Sequence, residues 1–381
     1  MFQKTSFDIP AGITFLNCAN MSPQLKAATD KGINALHKKQ HPWVYQAADW
    51  FNEPEQLRVA AAKIFQTAAD NVALVPSVSY GMAAAARNMQ IAAGKSIVLL
   101  DREFPSNYYV WQQLAQAQQL HIKTVTRTIG ENWTNAVLAA IDEQTGLVAL
   151  PQCHWTDGAL LHLDVISKKT HALGIPLVLD LSQSLGAYPI NIDEIAPDFA
   201  VCAGYKWMLG PYGLGYLYVN PSWHEKGIPL EYSWLTRKGS EDFTQLVNYT
   251  EHYKPGAHRF DMGEYSQLNL APIALAAVEQ LNEWGVQPIH NYLSTLTNSI
   301  PALSKQLPFV QCEDIEYAGH MRGITIPDAG CLQAIRKALP ENNIHVSFRG
   351  NAIRIAPHVY NDQQDINRLF ECLGNIQSTV R

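Results

Sequence analysis

Seven short β-rich runs punctuate the chain between residues 71 and 219, and most are apolar at all or all but one position. They lie at 71–76 (NVALVP), 96–100 (SIVLL), 122–126 (IKTVT), 147–152 (LVALPQ), 176–181 (PLVLDL), 199–203 (FAVCA) and 214–219 (LGYLYV). A strand that alternates apolar and polar residues has one wet face, whereas a continuously apolar strand must be covered on both. Helical candidates fall between the runs at 54–67, 81–93, 105–119, 135–141 and 163–173. The βαβα order predicts an α/β fold: a mostly parallel seven-stranded sheet with helices on both faces. One connection breaks the pattern. Residues 204–213 are too few for a helical crossover, so the last strand is expected to run antiparallel or to lie displaced. Beyond it come a Trp- and Tyr-rich irregular stretch (221–259), a helix at 271–284, and a smaller α+β part with β-like segments at 323–326 and 344–355. At 381 residues the chain exceeds the roughly 100–200 of one ordinary domain. The expected division is a large domain at 16–287 and a small C-terminal domain at 288–381, with residues 1–15 packing on the latter.

Charge and composition narrow the function classes. Lys and Arg number 28 against 34 Asp and Glu, giving a net charge of -6 with no block of like charge, so nucleic acid is not an expected partner. No basic segment leads into an apolar one at the start, and no 18-residue apolar run occurs. The expectation is a soluble cytoplasmic protein without a membrane partner. The cysteines (Cys18, Cys153, Cys202, Cys312, Cys331 and Cys372) are widely spaced with no CxxC pair. Reduced thiols and no metal site are expected.

In an open parallel sheet, ligands sit beyond the carboxyl ends of the strands. Three such ends are informative. The run at 176–181 leads into Asp180, Ser182 and Gln183, and a carboxylate inside an apolar strand costs several kcal/mol unless a cation faces it. The next run ends in Gly204-Tyr205-Lys206-Trp207. Burial lowers a lysine's pKa and frees the lone pair that a Schiff-base nucleophile needs. The run at 71–76 ends in Ser77-Val78-Ser79 and opens an alanine-rich helix, whose N–H groups and positive dipole end can hold a phosphate. Singly, each feature has an ordinary alternative: a turn-forming Asp, a solvated Lys with a buried stem, a serine cap. Together, an acid, a lysine and a phosphate cradle meet the three needs of pyridoxal 5′-phosphate.

The run LVLDLSQSLGAYPINIDEIAPDFAVCAGYKWMLGPYGLGYLYV resembles the fold-type I, class V aminotransferase family, which includes kynureninases, cysteine desulfurases and isopenicillin N epimerase. The resemblance implies that Lys206 is the Schiff-base lysine and general base, that Asp180 partners the pyridine nitrogen, and that Gln183 donates to the cofactor's phenolic oxygen. Tyr205 is similar to a phosphate ligand of the kynureninases. Residues 101–107 (DREFPSN) match a family segment whose aromatic, here Phe104, stacks on the cofactor ring. Residues 351–361 (NAIRIAPHVYN) match the segment whose arginine, here Arg354, binds the substrate α-carboxylate through a bidentate fork. Without that role, the alternation around Arg354 would make it a solvent-facing residue of an edge strand. The resemblance also implies an amino-acid substrate and a homodimer with its sites at the subunit interface. Transamination is the leading reaction, with a β-lyase, a kynureninase-like hydrolase or an epimerase as alternatives. A cofactor-binding scaffold without turnover would have no use for Asp180, Lys206 and Arg354 together.

The chain also departs from the family. Desulfurases carry a persulfide-forming cysteine shortly before the carboxylate arginine, yet 340–350 contains none and the nearest is Cys331. The desulfurase route is therefore expected to be absent. Trp155 stands where relatives often have Asn, which puts a second hydrogen bond to the phenolic oxygen in doubt. Glu264 stands where desulfurases have a threonine that reaches the partner's phosphate. A carboxylate would repel phosphate there, leaving Tyr265 or Ser266 to substitute, or Glu264 to pair with Arg259.

Overall fold

The computed structural model describes residues 1–380, with side chains described through residue 376. In chain order the strands are β1 (Thr14–Phe15), β2 (Val72–Val75), β3 (Ser96–Leu100), β4 (His121–Val125), β5 (Thr145–Pro151), β6 (Leu177–Asp180), β7 (Phe199–Ala203), β8 (Gly215–Val219), β9 (Arg322–Thr325), β10 (Ile344–His345), β11 (Ser347–Arg349) and β12 (Ala352–Ile355). Strands β2 to β8 form one seven-stranded sheet in the order β2-β8-β7-β6-β5-β3-β4. Only β8 runs antiparallel to its neighbours, as the short connection before it predicts.

The continuously apolar runs follow from burial on both faces. Along β7, Ala200 and Cys202 enter one buried cluster, while Phe199, Val201 and Ala203 enter the other. On β3, Val98 and Leu100 face the first cluster and Ile97 and Leu99 the second. Helices Val78–Asn88 and Tyr109–Gln118 cover one face; Asn52–Phe65, Leu163–Ala172 and Ala271–Trp284 contribute to the other.

Some helix ends differ from expectation, for local reasons. The helix expected at 81–93 spans Val78–Asn88, because Ser77 caps it three residues earlier and Asn88 ends it. The Asn88 amide donates to the carbonyls of Ala84 and Ile228 and accepts from the Ile228 N–H, so its side chain satisfies backbone groups of a distant loop. The stretch expected at 105–119 begins as a 3-10 turn, Pro105–Asn107, and becomes α-helical at Tyr109.

A buried ion pair fixes the edge strand β2. The Arg58 guanidinium donates to both Asp261 oxygens at 3.1 and 2.8 Å and to the Val72 carbonyl, while Asp261 also accepts from the Leu74 N–H at 2.7 Å. Neither side chain is exposed by more than 1%. Removing one partner strands the other charge in the core, so Arg58→Met is expected to lower unfolding stability by about 3–5 kcal/mol. Urea denaturation checks this; Arg58→Met combined with Asp261→Leu should recover part of the loss, and a single-variant loss below about 1 kcal/mol would contradict it.

The C-terminal part holds the antiparallel sheet β11-β12-β9. Strand β1 pairs in parallel with β10, and Thr14 Oγ1 donates to Asp365 at 2.9 Å, so the N-terminal segment lies against the C-terminal one. No described helix is long and apolar enough to cross a membrane.

Candidate active site

The parallel strands of the large sheet end on one edge, and the sequence-selected groups gather there. Asp180 is the last residue of β6, paired in register with Pro151 and Val201. It is 5% exposed, its Oδ1 accepts from the Ser182 N–H at 2.9 Å, and no described cation lies within 4 Å of it. Burial raises its pKa, partly offset by the Ser182 hydrogen bonds and by the charge of Lys206. A cationic group placed against it would favour the ionised form.

Lys206 follows β7 through a tight turn. A side chain at Gly204 would place its Cβ 2.4 Å from the Leu214 carbonyl oxygen, so only glycine lets the chain pass there. The turn closes with the Gly210 N–H donating to the Gly204 carbonyl at 2.8 Å and the Leu209 N–H to the Lys206 carbonyl at 3.1 Å. Lys206 is thereby held at 6% exposure. Burial pushes its amine down to about 8, against the opposing pull of the Asp180 charge. Near neutral pH a usable fraction of this amine is the free base.

Phe104 and Trp155 connect the lysine to the arginine. The Lys206 Nζ lies 5.3 Å from the centre of the half-buried Phe104 ring, which meets Trp155 edge-on at 5.4 Å and 77°. The Trp155 indole N–H donates to the Arg102 carbonyl at 2.7 Å, which commits its one polar hydrogen. The Trp155 carbonyl accepts from Arg354 Nη1 at 2.7 Å. Arg354 sits on β12, the central strand of its sheet, and is 1% exposed, which rules out the solvent-facing edge position. Its Nη2 is 3.4 Å from Ser347 Oγ, its Nε has no partner, and no described carboxylate lies within 4 Å. Burial and the nearby charge of Arg349 push the guanidinium down to about 9. A buried cation without a counterion costs several kcal/mol, and an incoming anion would offset that cost.

The cradle residues lie at the start of helix Val78–Asn88. Ser77 Oγ accepts from the Tyr80 N–H at 3.1 Å as a cap, and Ser79 Oγ donates to Ser106 Oγ at 2.9 Å, joining this terminus to the Phe104 segment. Val78 is buried, while Ser77 and Ser79 are exposed. Gly81 approaches Val201 so closely that a Cβ would fall 2.5 Å from Cγ2, which sets the helix down over the ends of the strands. Tyr205 lies 4.7 Å from Tyr212 between ring centres, and its own ring is 5.7 Å from Lys206 Nζ. Gln183 is held at both ends: Nε2 donates to the Ala19 carbonyl at 2.9 Å and Oε1 accepts from Trp207 at 3.1 Å. One amide hydrogen remains for another acceptor.

The alternatives around Glu264 narrow. Glu264 is exposed, and Arg259 turns instead to the Glu225 and Gly227 carbonyls. Tyr265 is fully buried, and Ser266 Oγ donates to the Trp50 carbonyl. Sequence reasoning also left Glu103 without a role. It is 8% exposed beside Phe104, with one oxygen accepting from the Phe104 N–H at 2.7 Å and the other unpartnered; burial and the charge of Asp180 push it up to about 8. Its signal was available, as a carboxylate within the quoted DREFPSN segment.

The class V aminotransferase family model matches residues 21–369, which include every one of these groups. The chain belongs to the class V aminotransferase family. This family is one of pyridoxal 5′-phosphate-dependent enzymes, so the chain is an enzyme and pyridoxal 5′-phosphate is its cofactor. The chain is 24% identical over 336 residues to the uncharacterized aminotransferase YcbU of Bacillus subtilis, covering 86% of each chain. It is 25% identical over 351 residues to the kynureninase of Geobacillus thermodenitrificans, covering 88% of this chain and 80% of that one. A structure of a C-DES mutant with glycine covalently linked to its PLP cofactor has the same fold, with a TM-score of 0.87 at 20% identity over 98% of this chain and 99% of that one. The residues of this class V chain fit the cofactor physically: a buried acid lacking a cation, a buried amine and a helix N-terminus open from three sides onto one sheet end.

Proposed function

We propose that this enzyme acts on an α-amino acid as an aminotransferase, with Lys206 as the lysine that carries the cofactor and Arg354 as the α-carboxylate site. The observation that carries the reading is Arg354 itself, a fully buried guanidinium with an unpartnered Nε and no described carboxylate in reach. When bound, pyridoxal 5′-phosphate supplies an electrophilic carbon for amines and a cationic ring that accepts the electron pair released at the substrate Cα. Asp180 holds the proton on the pyridine nitrogen, and the free Lys206 amine takes and returns the Cα proton. With the cofactor bound, Phe104 would pack on the ring, Gln183 would offer its remaining N–H to the phenolic oxygen, and Ser77, Val78, Ser79 and Tyr205 would hold the phosphate. The segment from residue 288 onward forms a small domain that closes over the substrate, and the protein works as a homodimer in the cytoplasm.

Asp180→Asn keeps the shape and removes the charge. It is expected to slow proton abstraction by roughly 10²–10³-fold, the scale of a removed preorganised electrostatic partner, with only modest weakening of cofactor binding. Single-turnover kinetics with deuterated substrate check this, and an unimpaired rate would remove Asp180 from the reaction.

Desulfuration has little support in the cysteines. Cys331 opens helix Ala329–Glu341, where burial and Asp328 raise its pKa, and Cys312 accepts from Arg322 Nε at 3.3 Å. Incubating the enzyme with cysteine and alkylating it should trap no persulfide on either, while amino-acid titration should convert the cofactor to its amine form. A persulfide on Cys331 would place a desulfurase reaction ahead of transamination.

A further inference from the structure

A second arginine shares Trp155 with Arg354. Arg349, at the end of β11, lies over the Trp155 ring at 5.2 Å, while Arg354 donates to the carbonyl of the same residue. Arg349 is half-buried: Nη1 donates only to the adjacent Phe348 carbonyl at 2.8 Å, and its Nε is buried without a partner. It lines a cavity of about 500 Å³ together with Arg102, Arg127, Trp155, Asp157 and Glu313.

The other charges of that cavity are accounted for. Glu313 receives Arg127 in a two-pronged pair at 2.6 and 2.7 Å, and Asp157 lies 4.0 Å from the same guanidinium. Arg102 is 80% exposed and faces Asp101 at 3.5 Å. Arg349 has no described carboxylate within 4 Å, and its charge opposes that of Arg354. Two guanidiniums held beside one tryptophan without a counterion repel each other, and a single carboxylate can fill only one fork.

We propose that Arg349 receives a second carboxylate, so that the substrate class is an amino acid with an acidic side chain. The inference rests on Arg354 taking the α-carboxylate. With that fork filled, the side chain of the substrate runs past Trp155 into the cavity, where Arg349 is the guanidinium left to pair. Trp155, which contacts both arginines, then separates the two anionic ends of the substrate.

The test is an absorbance titration of the holoenzyme with L-aspartate, L-glutamate and L-2-aminoadipate, each against a neutral counterpart such as L-asparagine or L-glutamine. The wild type should bind the best-fitting diacid roughly 10- to 100-fold more tightly than its amide, the range of a charge-assisted fork. Arg349→Gln should bring that ratio to within about 2-fold, and Arg349→Lys should restore part of it, because an ammonium keeps the charge but not the fork. Equal weakening of diacid and amide in Arg349→Gln, or no preference in the wild type, would overturn the proposal. L-alanine against ethylamine separates the two readings. If L-alanine binds more tightly than ethylamine while aspartate and asparagine tie, only the Arg349 proposal fails; if ethylamine binds as well as L-alanine, the Arg354 reading fails and takes this one with it.

Discussion

Lys206→Ala is expected to lower kcat by at least the order of 10³–10⁴-fold, the upper end of what one positioned proton-transfer group contributes. Both roles proposed for Lys206 would be lost in this variant: capture of the cofactor and movement of the Cα proton. Retention of the fold is the necessary control, and burial of the amine sets the sign of the stability change. Burial holds the Lys206 amine near 8, below the ordinary 10.5, so the folded state disfavours its charged form. That penalty is fully present below about pH 8 and fades as pH rises toward the unfolded value. Removing the amine should therefore leave the unfolding midpoint of the cofactor-free protein at pH 6 unchanged or slightly higher than that of the cofactor-free wild type, despite the lost stem contacts. Added methylamine should restore part of the turnover. A fall in kcat of less than tenfold would show that another group moves the proton.

Arg354→Ala is expected to raise the amino-acid dissociation constant by a factor on the order of 30 to several thousand, the equivalent of about 2–5 kcal/mol for one lost partner of a desolvated pair. The spectrum of the substrate-free holoenzyme should not change, because the guanidinium faces Trp155 and Ser347 and not the Asp180 end of the site. Arg354→Lys should recover only part of the affinity. Spectral titration with L-alanine separates the outcomes. Normal binding by Arg354→Ala would move the carboxylate site elsewhere, and loss of the cofactor would make Arg354 part of its cradle.

The strands were legible because their signal is local. The run 199–203 is apolar throughout and 96–100 is apolar after Ser96, and β3 and β7 occupy those same residues with both faces buried. The antiparallel β8 was equally legible, since chain length alone forbids a helical crossover between 203 and 215. The end of the helix at Asn88 was not, because hydrogen bonds to Ile228 decide it, 140 residues away. The placement of Arg354 on a central strand depends on pairing with both Ser347 and Gly323, and alternation along one segment carries no information about its neighbours. Trp155 shows the same limit: the residue itself is visible in the sequence, but its links to Arg102, Phe104, Arg349 and Arg354 exist only once the 101–107 segment, β11 and β12 meet around it.

Borohydride reduction of the holoenzyme, followed by peptide mapping by mass spectrometry, identifies the lysine that carries the cofactor. A pyridoxyl group is expected on the peptide containing Lys206 and absent from the Lys206→Ala protein. An adduct on Lys168, Lys169 or any other lysine would contradict it.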